Sequence, residues 1–416
     1  MEHSTFTQYG LIIKDYAAKN YHTMFREAGG TLKRPFIVPG TAYPQQLWDW
    51  DSWLTDIAIR ELSEEDISAY EQGCILNFLD HVGDDGWTPI MIEPERIAPP
   101  WDPSDVDGHQ TNSHKPCLAQ HAQFVLDNSS DRSWFEGRFG DLERYLSFYT
   151  EKSYHEPTGL YFWQDDTAIG IDNEPCTFYR PHKSTCSIYL NCLMYMEFSA
   201  AAHIAEIFDL NDKKAKYLSL ASKLKKAIND NCWDERDGFY YSVDINLLPI
   251  TSNFLHSGAP RHWSCLIQRI DVWTGFLAMW SGIASMEQAE RMVKEHYLNE
   301  KTFYAPYGIR SLSKLEKMYA VKVSGNPSCW LGPIWGISNY MLFVALDKYG
   351  YKDLAAEMCE KTIEMLGLDI AHNGAMHEYF DPETGAGVHN LGFQSWNLLA
   401  VKMIKWYEKN ILNIKE

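Results

Sequence analysis

Nothing in the 416-residue chain approaches the ~18 consecutive apolar residues of a membrane-spanning helix, so no transmembrane segment is expected. Basic residues are also scarce: 37 Lys and Arg against 56 Asp and Glu leave a formal charge of −19. That balance opposes a phosphate backbone or an anionic lipid surface, so neither nucleic acid nor membrane is expected as a partner. The nine cysteines are odd in number and scattered, with no C-x-x-C pair, which predicts reduced, mostly buried thiols and no disulfide framework or zinc site. Histidine forms only loose groups, His109, His114, His121 and His372, His377, His389, with no H-E-x-x-H and no H-x-H. Neither G-x-S-x-G, G-x-G-x-x-G nor a P-loop is present. A serine nucleophile elbow, a nucleotide cofactor and a metal centre are therefore not expected, and no cofactor is called for. Met1 to Asn20 carries Lys14, Asp15 and Lys19 within its apolar pattern and lacks the layout of a secretory signal, so a cytoplasmic location is expected.

Aromatic residues, by contrast, are abundant: 15 Trp, 24 Tyr and 19 Phe make 14% of the chain. Many stand in polar, Gly- and Pro-rich segments, where rings beside carboxylates and amides suit the apolar faces and hydroxyl rims of sugars. The periodic segments are helical. Residues 213–230 place Tyr217, Leu220, Ala221, Leu224, Ala227 and Ile228 on one face, whereas 187–208 is apolar almost all round. The pair recurs, with 330–347 largely apolar and 352–366 amphipathic. Buried helices followed by half-exposed ones predict two concentric helical layers. About twelve helical stretches fit an all-α (α/α)6 toroid, a closed ring of six hairpins. No linker composition interrupts residues 1–416, which reads as a single domain with a helical segment, 1–30, packed on it. The sequence leaves homo-oligomerisation open.

Long segments rich in Gly, Pro, Trp, Asp and Tyr separate the helices, at 83–115, 156–185, 233–263, 300–329 and 370–392; loops of this length are commonly functional. Three share a Gly turn running into extended aromatic pieces: Thr158–Asp165, Asp237–Asp244 and Asn373–Phe380. Acids cluster with rings in Gln46–Trp53, Gln164–Pro175 and His377–Gly385. Any one of these could merely cap a helix or make a turn. Together they suit glycosidic-bond hydrolysis with inversion, which needs a protonated carboxyl and an ionised one about 6.5–9.5 Å apart, with room for a water. Asp172 and Glu378 lie 206 positions apart, about half of a six-hairpin ring, and so on facing walls. Asp166 and Glu383 pass the same coarse test. A sugar epimerase using a His pair such as His114 and His389, a polysaccharide lyase, and a non-catalytic sugar-binding protein are the competing readings.

Trp50-Asp51-Ser52, Gly170-Ile-Asp-Asn-Glu-Pro175, Tyr307-Gly308 with Ser311, Trp330-Leu-Gly-Pro-Ile-Trp335 and Glu378-Tyr379 with Gly385-Ala-Gly387 run in order along the chain. With them the chain resembles glycoside hydrolase family 63, of the trehalase-like clan, and within it the short bacterial mannosylglycerate and glucosylglycerate hydrolases. The resemblance implies the (α/α)6 toroid and an inverting, exo-acting α-glucosidase or α-mannosidase on a small carbohydrate, with Asp172 as general acid and Glu378 as general base. It implies that Trp50 and Asp51 hold the sugar being cleaved and that Trp330, Trp335 and Gln394 line its pocket. Tyr43, Trp48, His114, Lys115 and Asn173 complete the expected substrate-binding set. Two departures bear on the hexose and leaving group: Glu174-Pro-Cys176 stands where Ser then Pro-Arg is common, and Lys115-Pro116 where Gln-Pro is typical. Lys115 is thereby expected either to meet sugar hydroxyls or an acidic leaving group, or to be solvated. The acid must stay protonated near neutrality, which predicts a bell-shaped pH profile.

Overall fold

Two kinds of helix alternate along the chain, and their apolar patterns decide which layer each occupies. The computed structural model describes residues 3–97, 111–248, 261–323 and 327–414; His109 and parts of the long loops at 83–115, 233–263 and 300–329 lie outside the described residues. The α-helices are α1 His3–Asn20, α2 Asp49–Ile59, α3 Ser68–Leu79, α4 Leu118–Asp127, α5 Phe139–Lys152 and α6 Ile188–Ile207. They continue as α7 Asn211–Asn231, α8 Leu277–Trp280, α9 Met286–Arg291, α10 Gly336–Lys348, α11 Lys352–Asn373 and α12 Ala400–Asn410. Single 3-10 turns, Trp273–Phe276 and Ser395–Leu399, lead into α8 and α12.

Even-numbered helices form the inner ring. α2 packs on α4, α4 on α6, α6 on α8, α8 on α10, α10 on the turn that enters α12, and that turn on α2, which closes the circle. α6 buries fourteen of its twenty residues, as a largely apolar helix does, while α7 buries only Tyr217, Ala221, Leu224, Ala227 and Ile228 and wets its lysine face. A weaker contrast of the same kind holds between α10, with nine of thirteen residues buried, and α11, with eleven of twenty-two. The fold is an (α/α)6 toroid. α1 lies against α11 and α12, with Phe6 stacked on Tyr407 at 4.0 Å, so the N-terminal segment is itself a member of the outer layer.

Extended pairs two or three residues long decorate the connections. Gly159 and Gly238, both at φ +71°, turn the hairpins Tyr154–His155 with Leu160–Tyr161 and Trp233–Asp234 with Phe239–Tyr240. These are two of the three Gly-aromatic segments. In the third, Gly374 ends α11, which runs to Asn373, seven residues beyond the apolar pattern noted in the sequence. One three-stranded sheet matters for the site: Ile334–Trp335 pairs with Tyr379–Phe380, which pairs with Gly387–His389. Among the described residues no helix is long and apolar enough to cross a membrane. All nine thiols are free, and eight of them are buried.

Candidate active site

A cavity of about 210 Å3 opens where the inner helices begin. Its wall draws on segments far apart in sequence: Tyr43 and Trp48, Trp50 and Asp51 in the first turn of α2, Lys115 ahead of α4, and Ala168, Gly170 and Asp172 ahead of α6. Pro327, Ser328 and Trp335 come from the approach to α10, and Glu378, His389, Phe393 and Trp396 from the approach to α12. Because α6 and α12 are three places apart in a ring of six, the loops that carry Asp172 and Glu378 enter the cavity from opposite sides.

The sheet sets the position of Glu378. Its backbone N–H donates to His389 O at 2.8 Å, and the neighbouring Tyr379 pairs with Trp335 on one side and His389 on the other. Both Tyr43 Oη, at 3.1 Å, and Asn390 Nδ2, at 2.6 Å, donate to Glu378 Oε2, which leaves Oε1 as the oxygen without either donor. Asn390 sits at φ +49°, a left-handed conformation that Asn tolerates. Burial raises the Glu378 carboxyl to about 7, the two donors pull it down, and the charge of Asp172 pushes it up again.

Asp51 accepts from Ser395 Oγ at 3.1 Å and is raised to about 8, first by burial and then by the nearby Asp49, with Lys115 acting in the opposite sense. Asp49 accepts the N–H groups of Trp50 at 2.7 Å and Lys115 at 2.9 Å, and its Oδ1 meets Lys115 Nζ at 2.8 Å. The Lys115 and Asp49 side chains are 1% and 0% exposed, so Lys115 is a sealed ion-pair partner and not a solvated lysine. Gly170, at φ +90°, lies so close that a Cβ there would stand 3.0 Å from both Lys115 Cε and Trp50 Cζ2.

Aromatic rings build the floor in layers. Trp335 faces the cavity and stacks on Trp330 at 3.9 Å and 5°, Trp330 stacks on Trp273 at 6.1 Å, and Trp50 meets Trp396 edge-on at 5.3 Å. Rings packed this way present a flat apolar face beside hydrogen-bonding carboxyl groups. Among the described residues no group of three or more His, Cys, Asp or Glu is placed to hold a metal ion.

Residues 43–396 match the mannosylglycerate hydrolase MGH1-like glycoside hydrolase domain. The chain belongs to this glycoside hydrolase family. Among its relatives, the mannosylglycerate hydrolase MGH2 of Selaginella moellendorffii is 24% identical over 426 residues, covering 90% of this chain and 83% of that protein. The probable mannosyl-oligosaccharide glucosidase of Schizosaccharomyces pombe is 24% identical over 290 residues, 65% of this chain, which spans only 33% of that longer protein. In structure, the GH63 mannosylglycerate hydrolase of Thermus thermophilus, in complex with Tris and D-glycerate, superposes with a TM-score of 0.70 at 19% identity, covering 95% of this chain and 99% of the other. Neutral trehalase Nth1 of Saccharomyces cerevisiae gives 0.60 at 15% identity, over 90% of this chain and 74% of that one. At such identity these likenesses carry the fold alone.

In this MGH1-like domain four residues expected to bind substrate stand behind the wall. His114 is buried against Phe78 at 4.5 Å and Tyr145 at 5.6 Å, its Nδ1 on Lys115 O. Asn173 spends its side chain on the backbone, donating to Ser328 O at 2.9 Å and accepting from Trp330 N at 3.0 Å, and so ties the Asp172 loop to the approach of α10. Trp330 lies under Trp335, and Gln394 turns its amide to Thr23 Oγ1 at 3.4 Å. Asp166 and Glu383, the alternative acids, are also outside the wall; Glu383 is held by Arg310 and Lys314. The sequence reading named His389 only for the epimerase alternative and missed Asn390, Phe393 and Trp396. Its one available signal was His389-Asn-Leu-Gly-Phe393, a polar turn directly after an aromatic acid segment.

Proposed function

We propose that the chain hydrolyses a terminal α-linked hexose, glucosyl or mannosyl, from a small glycoside with inversion of configuration. Asp172, protonated, gives its proton to the glycosidic oxygen as the bond to the anomeric carbon breaks. Glu378, ionised, takes a proton from a water that attacks the same carbon from the opposite face, so that a β-hexose and a free alcohol leave. The observation that carries this reading is the entry of the Asp172 and Glu378 loops into one cavity from opposite sides of the ring. The donors on Glu378 Oε2 favour the carboxylate form and suit it to the base. Trp50 and Trp335 supply faces for the sugar, and Asp51 an acceptor for its hydroxyls. The named activities of the relatives, on mannosylglycerate and on mannosyl-oligosaccharides, bracket the substrate class. An epimerase relying on His114 is disfavoured, because that ring is sealed beneath the wall.

Asp172→Asn and Glu378→Gln are each expected to lower kcat by about 10²–10⁴-fold without loss of helical circular dichroism. NMR of fresh product is expected to show the β-anomer first. An initial α-anomer, or near wild-type turnover in either variant, would remove the proposed mechanism.

A further inference from the structure

We infer that the glycoside cleaved here carries an uncharged leaving group, a polyol or a second sugar, and not a carboxylate-bearing one such as glycerate. This rests on the reading of Asp172 as the acid, because the leaving group departs on the side of the group that protonates it. Apart from three carboxyl groups, Lys115 and His389, every described residue of the cavity wall is uncharged, Ala168, Gly170, Pro327 and Ser328 among them, and Asn173 fastens Ser328 to the Asp172 loop. Lys115 is the only lysine or arginine in the described wall, which also holds the three carboxyl groups of Asp51, Asp172 and Glu378. Its ammonium is committed elsewhere, 2.8 Å from Asp49 Oδ1 and 3.4 Å from Ala168 O, and the pair is sealed from solvent. A lysine so matched adds no net positive charge to the cavity.

Among the described wall residues the other group that could carry positive charge is His389, and it does not supply a cation either. Burial, with His377 beside it, pushes His389 toward its neutral form. A carboxylate brought into this pocket would meet the ionised Glu378 without a counter-charge. It would also raise the Glu378 pKa further and so withdraw the base from its working form. A hydroxyl-bearing neutral group has neither effect, and the carboxylates and carbonyls of the wall can accept its hydrogens.

The test uses the full chain and matched substrates that differ only in leaving-group charge: α-glucosylglycerol against α-glucosylglycerate, and α-mannosylglycerol against α-mannosylglycerate. kcat/KM is expected to be at least about tenfold higher for the glycerol member of the cleaved pair, with the gap narrowing as KCl screens the repulsion. A glycerate member cleaved as well or better overturns the inference and leaves the hydrolase reading standing. Calorimetric binding to Asp172→Asn, which keeps the charge of the protonated acid, separates the two ideas. Tighter binding of the glycerol glycosides supports the inference even without turnover by the wild type, and tighter binding of the glycerate glycosides overturns it. Failure of the wild type to cleave any α-glycoside counts against the hydrolase reading alone.

Discussion

At Glu378 the burial that suits a general base also shapes how activity and stability respond to pH. Its folded-state pKa of about 7 stands above the ordinary 4.5. The folded chain therefore holds this proton more tightly than the unfolded one does. Glu378 costs nothing below pH 4.5, and its ionisation destabilises the fold increasingly as pH climbs to 7, after which the cost is constant. Glu378→Gln keeps an acceptor for Tyr43 and Asn390 and carries no such cost. The variant is expected to melt a few degrees above wild type at pH 8 and level with it near pH 4.5, by calorimetry; an advantage that grew toward acid pH would contradict the sign. Activity runs the other way, with wild-type kcat/KM expected to fall by about tenfold per pH unit below 7 as the base protonates. At this scale the sequence located residues better than it aimed them. Trp330-Leu-Gly-Pro-Ile-Trp335 was recognisable as a site segment, yet nothing in one dimension says that Trp335 faces the cavity and Trp330 lies beneath it. The same holds for Asn173 and His114: each adjoins a residue of the cavity wall and turns its own side chain into packing.

Among elements, the helices were legible because their periodicity reports how many sides are buried, which is why α6 and α7 could be told apart from composition alone. The strands were not. Two or three residues give no alternation to count, and their pairing joins Ile334 to Phe380 across a whole helical hairpin. The sheet that holds Glu378 depends on one close approach: a Cβ on Gly387 would stand 2.0 Å from His377 Nδ1, which is itself anchored by Asp369 at 2.9 Å. Gly387→Ala must push that strand away, and with it the His389 carbonyl that receives the Glu378 N–H. kcat is expected to drop by at least about tenfold with helical content unchanged, since small misplacements of reacting groups are costly. Wild-type kinetics in this variant would mean that the sheet does not set the position of the base.

For the whole molecule, a ring has no end, so the first helix and the last must complete each other. α1 buries Phe6, Ile13 and Ala17, and its Tyr9 fills the space left by Gly367 of α11, where a Cβ would lie 2.6 Å from Tyr9 Cβ. The Lys14–Glu408 pair, at 2.6 Å, is about one-third exposed and contributes little beside that apolar area. α12 continues from the turn that carries Trp396 into the cavity and Ser395 onto Asp51, so losing its outer support altogether reaches the sugar site through one continuous element. Phe6→Ala removes the ring stacked on Tyr407 and is expected to cost about 3–5 kcal/mol. Its signature is a lower Tm with kcat at 25 °C near wild type, because the folded ring still closes. Deleting residues 3–20 bares the α11 and α12 faces that α1 covers; the product is expected to be insoluble or to unfold without a cooperative transition, and to be inactive. A soluble, active deletion variant would show that closure of the outer layer is dispensable and that the inner ring alone organises the cavity.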